Sequence, residues 1–288
     1  MLTPFDPQGQ LDLPAARQLV DFLITHGVDG LLPAGTTGEG MLLSSAERMR
    51  LAEAVVDQAA DRAAVLIHSG AISTAETIAL TCHAQEIGAH GASIITPYFY
   101  SYDDDALFDH YLAVARAVPE YPLSLYAYPG NAKQEISLAL FRRLRQAAPN
   151  IVAIKLSSLD LIRFQEYVYA GGPEFSPLCG VDGMALAALA VGAVGQVSGN
   201  ANVFPGPFRC LYDAFAAGDL AEAQRQQQII QSIRGLFKDS LVYFKAALAW
   251  RGLPIGAPRP PIRDLSLTEQ ADLFGGLERL TDEFPEIL

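Results

Sequence analysis

Ile151-Val-Ala-Ile-Lys-Leu156 is a short apolar run, and it is one of seven such runs that recur along the chain of 288 residues. Several of the runs are continuous rather than alternating, which is typical of strands that are buried on both faces. The seven runs are Gly30–Pro33, Val65–His68, Ala92–Thr96, Leu123–Tyr126, Ile151–Leu156, Phe175–Cys179 and Val194–Ser198. They predict seven parallel strands.

Helix-like segments separate these runs. They are Leu13–His26, Ser45–Ala60, Ala75–Ile87, Asp104–Val118, Ser137–Ala147, Leu159–Ala170 and Gly183–Val191. Repeated βα units indicate a parallel sheet, and Met1–Pro4 is interpreted as the tail of an eighth strand. We therefore expect an α/β chain folded as a (β/α)8 TIM barrel. An open doubly wound sheet is the alternative, and the lack of a glycine-rich dinucleotide or P-loop motif after the first strand weakens it.

The pattern beyond Ser198 is helical. Asp219–Phe237, Ser240–Trp250 and Thr268–Phe284 predict three helices, with a proline-rich stretch from Pro254 to Pro261 before the third. We expect residues 1–215 to form the barrel and residues 216–288 to form a three-helix C-terminal extension of the same domain. The first strand is short, so either the true start lies upstream of Met1 or the barrel closes with a stub.

Composition excludes several classes of partner. The net charge of −12 disfavours binding to nucleic acid or anionic membranes, and it requires a locally positive site for any anionic substrate. The sequence shows no long apolar run and no secretory signal, and its three separated cysteines indicate reduced thiols in a cytoplasmic protein. The five histidines show no metal-ligand spacing, so no metal site is predicted.

Lys155 is the charged residue in the run Ile151–Leu156. The chemistry of a parallel barrel takes place at the carboxyl ends of its strands. Burial disfavours the charged form of an amine, and a neutral amine is a nucleophile that condenses with a ketone. The competing interpretation is a buried lysine that is salt-bridged to a carboxylate. Lysine is scarce in this chain; the four are Lys133, Lys155, Lys238 and Lys245.

The segment Pro33-Ala-Gly-Thr-Thr-Gly-Glu-Gly40 follows the first predicted strand. Its glycines, Gly35 among them, permit a tight turn that aims backbone N–H groups in one direction, and Thr36 and Thr37 add hydroxyl donors. This predicts a small-anion pocket that suits a carboxylate, although an ordinary βα loop with turn glycines is the alternative. Glu39 is interpreted as a cap or a brace of the loop rather than as a catalytic acid.

Aromatic residues follow two of the predicted strands. Tyr126 ends the fourth run, where a phenol can exchange protons with a substrate. Tyr128 would point the other way if that strand continued. Thr96-Pro-Tyr-Phe-Tyr100 follows the third run, and its aromatic side chains are expected to line a pocket or to form a subunit contact. A core or interface tyrosine is the default interpretation of Tyr126 and Tyr128.

Together these segments resemble the dihydrodipicolinate synthase / N-acetylneuraminate lyase family of class I, Schiff-base pyruvate aldolases. The resemblance covers almost the whole chain, and the Gly-Thr-Thr-Gly-Glu motif at this distance from a strand-embedded lysine is specific. The segments that carry it are Leu2–Phe5, Gly35–Glu39, Thr96–Tyr98, Leu125–Pro129, Ile154–Lys155, Gly195–Ser198 and Ala201–Val203.

The resemblance implies roles for individual residues. Lys155 is implied to form the imine, and Tyr126 is implied to shuttle protons at the substrate. Thr36 and Thr37 are implied to bind the carboxylate of the 2-oxo acid, with Thr37 also part of a proton relay. The other expected substrate-binding positions are Gly35, Gly180, Val197, Asn131 and Tyr100. The covalent imine needs no metal or organic cofactor, and a homotetramer built as a dimer of dimers is expected.

Three positions depart from the family pattern. Asn131 stands where the synthase branch normally has an arginine that binds the carboxylate of the second substrate. Ala127 stands where asparagine is common. Phe99 stands where a tyrosine donated across a subunit interface normally completes the relay, and the adjacent Tyr100 is the candidate replacement. The Tyr-x-Tyr-Pro pattern resembles the branch that cleaves 2-keto-3-deoxy sugar acids.

The expected function is therefore a lyase reaction, the reversible cleavage of a 2-keto-3-deoxy acid to pyruvate and an aldehyde through an imine on Lys155. A dihydrodipicolinate synthase that condenses pyruvate with aspartate semialdehyde is the main alternative. A dehydratase that uses the same imine and a non-catalytic sensor of 2-oxo acids are further alternatives. The sequence does not name the aldehyde partner.

Overall fold

The computed structural model describes residues 1–288, and it contains seven strands that are hydrogen-bonded in sequence order within one sheet. Each pairing from the second strand to the seventh is parallel. The strands are β1 (Gly30–Leu31), β2 (Ala64–His68), β3 (Gly91–Ile95), β4 (Leu123–Ala127), β5 (Ile151–Leu156), β6 (Ser176–Cys179) and β7 (Gly195–Gln196). Every predicted run therefore contains a strand, although β1 and β7 are only two residues long.

Twelve α-helices accompany the strands. They are α1 (Leu13–Thr25), α2 (Ser45–Ala59), α3 (Thr74–Glu86), α4 (Asp104–Ala117), α5 (Pro129–Ala132), α6 (Leu138–Ala147), α7 (Leu161–Gly171), α8 (Ala185–Ala190), α9 (Gly206–Ala216), α10 (Leu220–Phe237), α11 (Leu241–Trp250) and α12 (Leu267–Glu283). The ten predicted helices are all present, and α5 and α9 were not predicted. Helix α9 begins at Gly206-Pro207, a dipeptide that is typical of a turn but that also suits a first helical turn.

Short polar side chains begin eight of these helices. Each one accepts a hydrogen bond from the backbone N–H three residues further on, which satisfies a donor that the helix itself leaves unpaired. These capping residues are Asp12, Ser44, Ser73, Asp103, Ser137, Asp160, Asp219 and Ser266. The caps explain why the strand-to-helix boundaries were predictable from local sequence.

The first residues of the chain do not form the predicted strand. The interpretation of Met1–Pro4 as strand is wrong, because the only β-bridge nearby is an isolated antiparallel one between Phe5 and Leu11. The Leu2 N–H instead donates to the side-chain oxygen of Asn202 at 2.8 Å. The Thr3 hydroxyl donates to the carbonyl of Gly38. This buried segment therefore supports two loops through hydrogen bonds to a side chain and to a carbonyl.

The strand register places the residues that bear the chemistry in one row. Tyr126 on β4 is in register with Ile95 on β3 and with Lys155 on β5, and Lys155 is in register with Leu178 on β6. Residues in register on neighbouring parallel strands face the same side of the sheet. The register therefore brings the predicted phenol and the predicted amine to one face, near the carboxyl ends of their strands.

Contacts within the chain define two compact units, Met1–Ala64 together with Ser198–Leu288, and Val65–Val197. In the first unit the ring of Phe237 packs on Phe204 at 5.9 Å and on Phe244 at 5.6 Å between centroids. The core of the second unit includes the buried strands β3 and β4. The predicted division at residues 215 and 216 stays a prediction. The model contains no helix with the length and apolar character that a membrane span requires.

Candidate active site

Lys155 is the fifth residue of β5, and its side chain is half-buried. Its Nζ lies 4.2 Å from the ring centroid of Tyr126, within the range of a cation–π contact. No acidic side chain forms an ion pair with Lys155, so the interpretation of a lysine locked against a carboxylate does not describe this residue. The amine is placed against an aromatic face at the end of a parallel strand.

Tyr126 is 2% exposed and is surrounded by aromatic rings. Its ring meets His68 edge to face at 5.9 Å and stacks on Tyr128 at 6.0 Å with an interplanar angle of 23°. Strand β4 ends at Ala127, so the condition under which Tyr128 would point the other way is not met. Tyr98 packs against the same cluster. The phenol of Tyr126 is therefore held in a mostly apolar, aromatic wall.

Gly180 follows β6 and leaves space for the lysine side chain. A Cβ built on Gly180 would lie 2.9 Å from Lys155 Cε and 2.2 Å from Ser157 Oγ, distances that no side chain tolerates. The N–H of Val197 donates to the carbonyl of Cys179 at 2.8 Å, so the backbone of Val197 lies next to the residue before Gly180. The structure thus brings Lys155, Tyr126 and Gly180 together. Val197 lies beside the end of β6.

The loop that follows β3 exposes two of its aromatic residues. Phe99 is 82% exposed with a φ of +82°, and Tyr100 is 61% exposed. A positive φ is unusual for a bulky residue and indicates that its surroundings determine the conformation of this loop. Buried Gln134 holds this loop through two hydrogen bonds. Its side-chain amide donates to the Pro97 carbonyl and accepts from the backbone N–H of Tyr102, both at 2.6 Å. Sequence reasoning did not identify Gln134, and no local pattern marks it.

Asn131 lies on the short helix α5 and is exposed. The only lysine near it in sequence, Lys133, donates from Nζ to the carbonyl of Gly130 at 2.7 Å. Neither residue lies in the buried row of β4 and β5. The expected substrate contacts of Asn131 and Tyr100 therefore remain predictions.

The Gly-Thr-Thr segment belongs to the unit formed by residues 1–64 and 198–288. Its backbone closes tightly, because a Cβ on Gly40 would lie 1.7 Å from the Ala34 carbonyl oxygen. Ala34 and Glu39 both adopt positive φ values near +55°. Thr36 is exposed, and Thr37 is half-buried. The conformation is thus a strained turn rather than an ordinary βα connection, which favours a functional role for the loop.

Glu39 is a brace of this loop, as one of the two interpretations of this residue proposed. Its side chain is fully buried and forms an ion pair with buried Lys245, with Nζ and Oε1 2.7 Å apart. Its other oxygen accepts a hydrogen bond from the Arg259 N–H at 2.7 Å. Burial lowers the pKa of Lys245, and the hydrogen bond that Lys245 donates to Glu39 opposes that shift. Lys245 was visible as a lone charge within the apolar helix Leu241–Trp250, although its partner was not.

A second ion pair lies beside the first. Arg259 forms two hydrogen bonds with the carboxylate of Glu47, and it also donates to the carbonyls of Gly9 and Leu42. These contacts with Arg259 lower the pKa of Glu47 to about 2. The Phe5 ring lies 4.3 Å from Lys245 Nζ and 4.5 Å from the Arg259 guanidinium. Both of these cations are thus matched by carboxylates.

A model of the Dihydrodipicolinate synthetase family matches residues 1–279. A curated relative from Synechococcus sp. (strain CC9605), named 4-hydroxy-tetrahydrodipicolinate synthase, is 39% identical over 268 residues, which are 92% of this chain and 88% of that protein. The family match includes all of one compact unit, most of the other and every candidate site residue named above.

Solved structures of similar proteins have the same fold. Dihydrodipicolinate synthase from Aquifex aeolicus superposes with a TM-score of 0.93 at 30% identity, covering 100% of this chain and 97% of that one. A prophage protein of the dihydrodipicolinic acid synthase family from E. coli K12, in complex with pyruvate, gives 0.91 at 31% identity over 97% and 96% of the two chains. The predicted α/β class, a TIM barrel with C-terminal helices, is confirmed.

Proposed function

Because this chain belongs to the dihydrodipicolinate synthetase family and is a lyase, we propose that it forms a Schiff base between Lys155 and the ketone of pyruvate or a related 2-oxo acid. The observation that carries the proposal is the placement of the Lys155 amine 4.2 Å from the ring of Tyr126, in register with it on the neighbouring strand. Pyruvate bound to the prophage relative supports the choice of the 2-oxo acid.

The proposed reaction begins when the neutral amine of Lys155 attacks C2 of the 2-oxo acid. Loss of water then gives a protonated imine, whose nitrogen accepts the electron pair of the C3–C4 bond as that bond breaks. An aldehyde leaves, and the enamine that remains takes a proton at C3. Hydrolysis releases pyruvate and restores the amine. In the reverse direction the enamine adds to an aldehyde. The imine is the electron sink, so the sequence of steps needs no metal or organic cofactor.

Other residues enter the proposal through the family resemblance. Tyr126 acts as the general acid and base. Thr36 and Thr37, with Gly35 in the same turn, bind the carboxylate of the 2-oxo acid. The strained backbone of that turn and its paired cations support a site made of N–H groups and hydroxyls. The remaining proposed contacts with substrate are Gly180, Val197, Asn131 and Tyr100.

We propose cleavage of a 2-keto-3-deoxy acid as the physiological reaction. The observation that favours it is Asn131, an exposed neutral residue where the resemblance implies an arginine for a second carboxylate. Tyr128 stacks on Tyr126, which supports a second phenol near the first as a polar partner for the hydroxyl groups of a sugar acid.

Synthesis of 4-hydroxy-tetrahydrodipicolinate from pyruvate and aspartate semialdehyde is the second candidate. It is favoured by the names of curated relatives that are 33–39% identical over most of this chain. Because position 131 holds asparagine instead of arginine, this reaction requires another group of the protein to bind the carboxylate of the semialdehyde. The two candidates share every step on Lys155 up to the enamine.

Trapping with borohydride tests the imine. Purified protein treated with pyruvate and sodium borohydride should gain the mass of one reduced adduct per chain, and peptide mapping should place it on Lys155. The Lys155→Ala variant should gain none. An unmodified wild-type chain, or equal labelling of the variant, would refute the proposal. Pyruvate binding without trapping or turnover would instead indicate a sensor.

A paired assay separates the overall reactions. One arm supplies pyruvate with aspartate semialdehyde, and the other supplies 2-keto-3-deoxy sugar acids and follows release of pyruvate. We expect turnover in the second arm and at least about 100-fold lower kcat/KM in the first, because an unpaired carboxylate loses a charge-assisted contact. Faster synthase turnover would reverse the assignment. Accumulation of a dehydrated 2-oxo acid, without an aldehyde, would identify a dehydratase.

We also propose that the protein is a cytoplasmic homotetramer, as the resemblance implies. Sedimentation velocity should give a single species of four chains. A stable monomer with full activity would contradict this expectation and would remove Tyr100 from consideration as a residue donated across an interface.

A further inference from the structure

Helix α11 touches the Gly-Thr-Thr loop through Lys245, and through the neighbouring residue Phe244 it touches Gly199, which lies next to Thr37. Lys245 forms the buried ion pair with Glu39, and it also donates from Nζ to the Ala257 carbonyl at 3.2 Å. The ring of the preceding residue, Phe244, lies close to Gly199. A Cβ built on Gly199 would meet Phe244 Cε2 at 2.8 Å and Thr37 Oγ1 at 3.2 Å.

These two contacts fix the loop on either side of Gly38. Glu39 is held by its carboxylate, while the Thr37 hydroxyl and the Phe244 ring both border the space that a side chain at Gly199 would occupy. Phe244 and Lys245 are adjacent on one rigid helix, so a shift of α11 displaces both contacts together. The hydroxyl of Thr37 and the backbone of Glu39 therefore have one common support.

A buried ion pair is weak evidence for stability, because removing two charges from water costs about as much as their attraction returns. A pair of apolar side chains of similar size would stabilise the fold equally well. The positive φ of Glu39 shows that its backbone adopts a conformation that non-glycine residues disfavour, beside the ion pair that its side chain forms. The ion pair of Lys245 with Glu39 is therefore suited to fixing the conformation of the loop.

We propose that Lys245 and Phe244 on α11 are positioning residues that set the affinity for the 2-oxo acid by fixing the Thr37 hydroxyl. The inference rests on the proposed role of the Gly-Thr-Thr loop in binding the substrate carboxylate. It assigns part of the C-terminal helical region to substrate recognition, although α11 supplies no atom to the reacting carbons.

The test measures the pyruvate concentration at which borohydride trapping of Lys155 is half-maximal. The double variant Glu39→Gln/Lys245→Met removes both charges and leaves no unpaired buried ion. We expect its half-saturating concentration to rise roughly 10- to 100-fold, because small displacements of a positioning group have effects of this size. The trapped fraction at saturation should match that of the wild type. Arg263→Met, which removes an exposed ion pair with Glu269, is the control and should leave both values unchanged.

The readout separates positioning from stability. A merely structural role would raise the half-saturating concentration only by the factor by which the folded fraction falls, so that fraction is measured by circular dichroism in the absence of pyruvate. A double variant that half-saturates within about twofold of the wild type would overturn the inference. Should the double variant fail to fold, Phe244→Leu applies the same criterion, with an expected rise of roughly tenfold. Failure of the wild type itself to trap pyruvate would instead refute the proposed function.

Discussion

Two lysines in this chain lie on aromatic rings at nearly the same distance, and their other neighbours differ. Lys155 Nζ is 4.2 Å from the Tyr126 ring and Lys245 Nζ is 4.3 Å from the Phe5 ring. Lys245 is 3% exposed and also binds the Glu39 carboxylate, whereas Lys155 is half-buried and has no carboxylate partner. Burial alone therefore does not distinguish the proposed nucleophile from a structural cation. The atoms around the amine do, since a carboxylate at 2.7 Å favours the protonated form.

The largest expected effect is on catalysis and comes from the less buried lysine. Lys155→Met should lower kcat/KM by more than about 1000-fold, because no imine can form without the amine. The thermal midpoint should stay within a few degrees of the wild type, since no ion pair is lost. Steady-state kinetics and calorimetry measure the two quantities.

Lys238→Met is the control for this change. Lys238 is exposed and also lies near a tyrosine ring, with Nζ 5.1 Å from the centroid of Tyr243. We expect wild-type activity from this variant. Retention of substantial activity in Lys155→Met would break the comparison, because the amine on Tyr126 would then be dispensable.

The second effect is on stability and comes from the more buried lysine. Lys245→Met should lower the free energy of unfolding by about 3 to 5 kcal/mol, because it leaves the Glu39 carboxylate buried without its partner. Adding Glu39→Gln should recover most of that loss. Urea unfolding of the two single variants and the double variant gives the coupling energy. Additive losses would show that the two side chains do not act as a pair.

The contrast between these lysines also shows what the sequence reveals. Lys155 could be proposed as a nucleophile from the sequence because it interrupts a continuous apolar strand and belongs to one of the segments that resemble a known family. Lys245 interrupts an apolar helix just as visibly, yet its partner Glu39 lies in a distant part of the chain, and local sequence carries no information on such a pairing. The brace interpretation of Glu39 was correct in kind, without the identity of the group that it binds.

The fold was predictable where local signals were unambiguous. Caps such as Ser44 and Ser73 mark the starts of α2 and α3, and the apolar runs mark the strands. Helix α9 was missed because Pro205-Gly206-Pro207 is typical of a break. The segment Met1–Pro4 was misread as a strand because it is buried. Its hydrogen bonds go to a side chain and a carbonyl of two loops, and it does not pair with a strand. Exposure of Phe99 and Tyr100 had no local signal.

A glycine substitution sharpens the comparison at Lys155, the lysine proposed to react. Gly180→Ala places a Cβ 2.2 Å from Ser157 Oγ and 2.9 Å from Lys155 Cε, so both side chains must shift, and Lys155 moves relative to the ring of Tyr126. We expect kcat to fall about 100-fold, because a displacement of the nucleophile by about 1 Å has effects of this size. Gly206→Ala is the control, since a Cβ there meets no atom within 4 Å. Wild-type kcat in Gly180→Ala would show that the position of the amine against Tyr126 is not required.

The smallest expected effect extends the comparison to Arg259, the second cation on the Phe5 ring. Hydrogen bonds from Arg259 lower the pKa of Glu47 from 4.5 to about 2. A carboxyl group with a lowered pKa in the folded state stabilises that state above the pKa of the unfolded chain. The contribution is lost as the pH falls through the folded pKa. The stabilisation by Glu47 is therefore complete above pH 4.5 and disappears as the pH falls toward 2.

Both side chains of this pair are partly accessible, 21% for Glu47 and 15% for Arg259, so solvent screening reduces the effect. Between pH of about 6 and about 3, the wild type should lose roughly 1 kcal/mol more unfolding free energy than Glu47→Gln does. Urea titrations at the two pH values measure the difference. Equal losses would mean that the Glu47–Arg259 pair adds nothing to the support of the loop. The support of the loop would then depend on the ion pair of Lys245 with Glu39 alone. The comparison with Lys155 would then concern only two residues, Lys155 and Lys245.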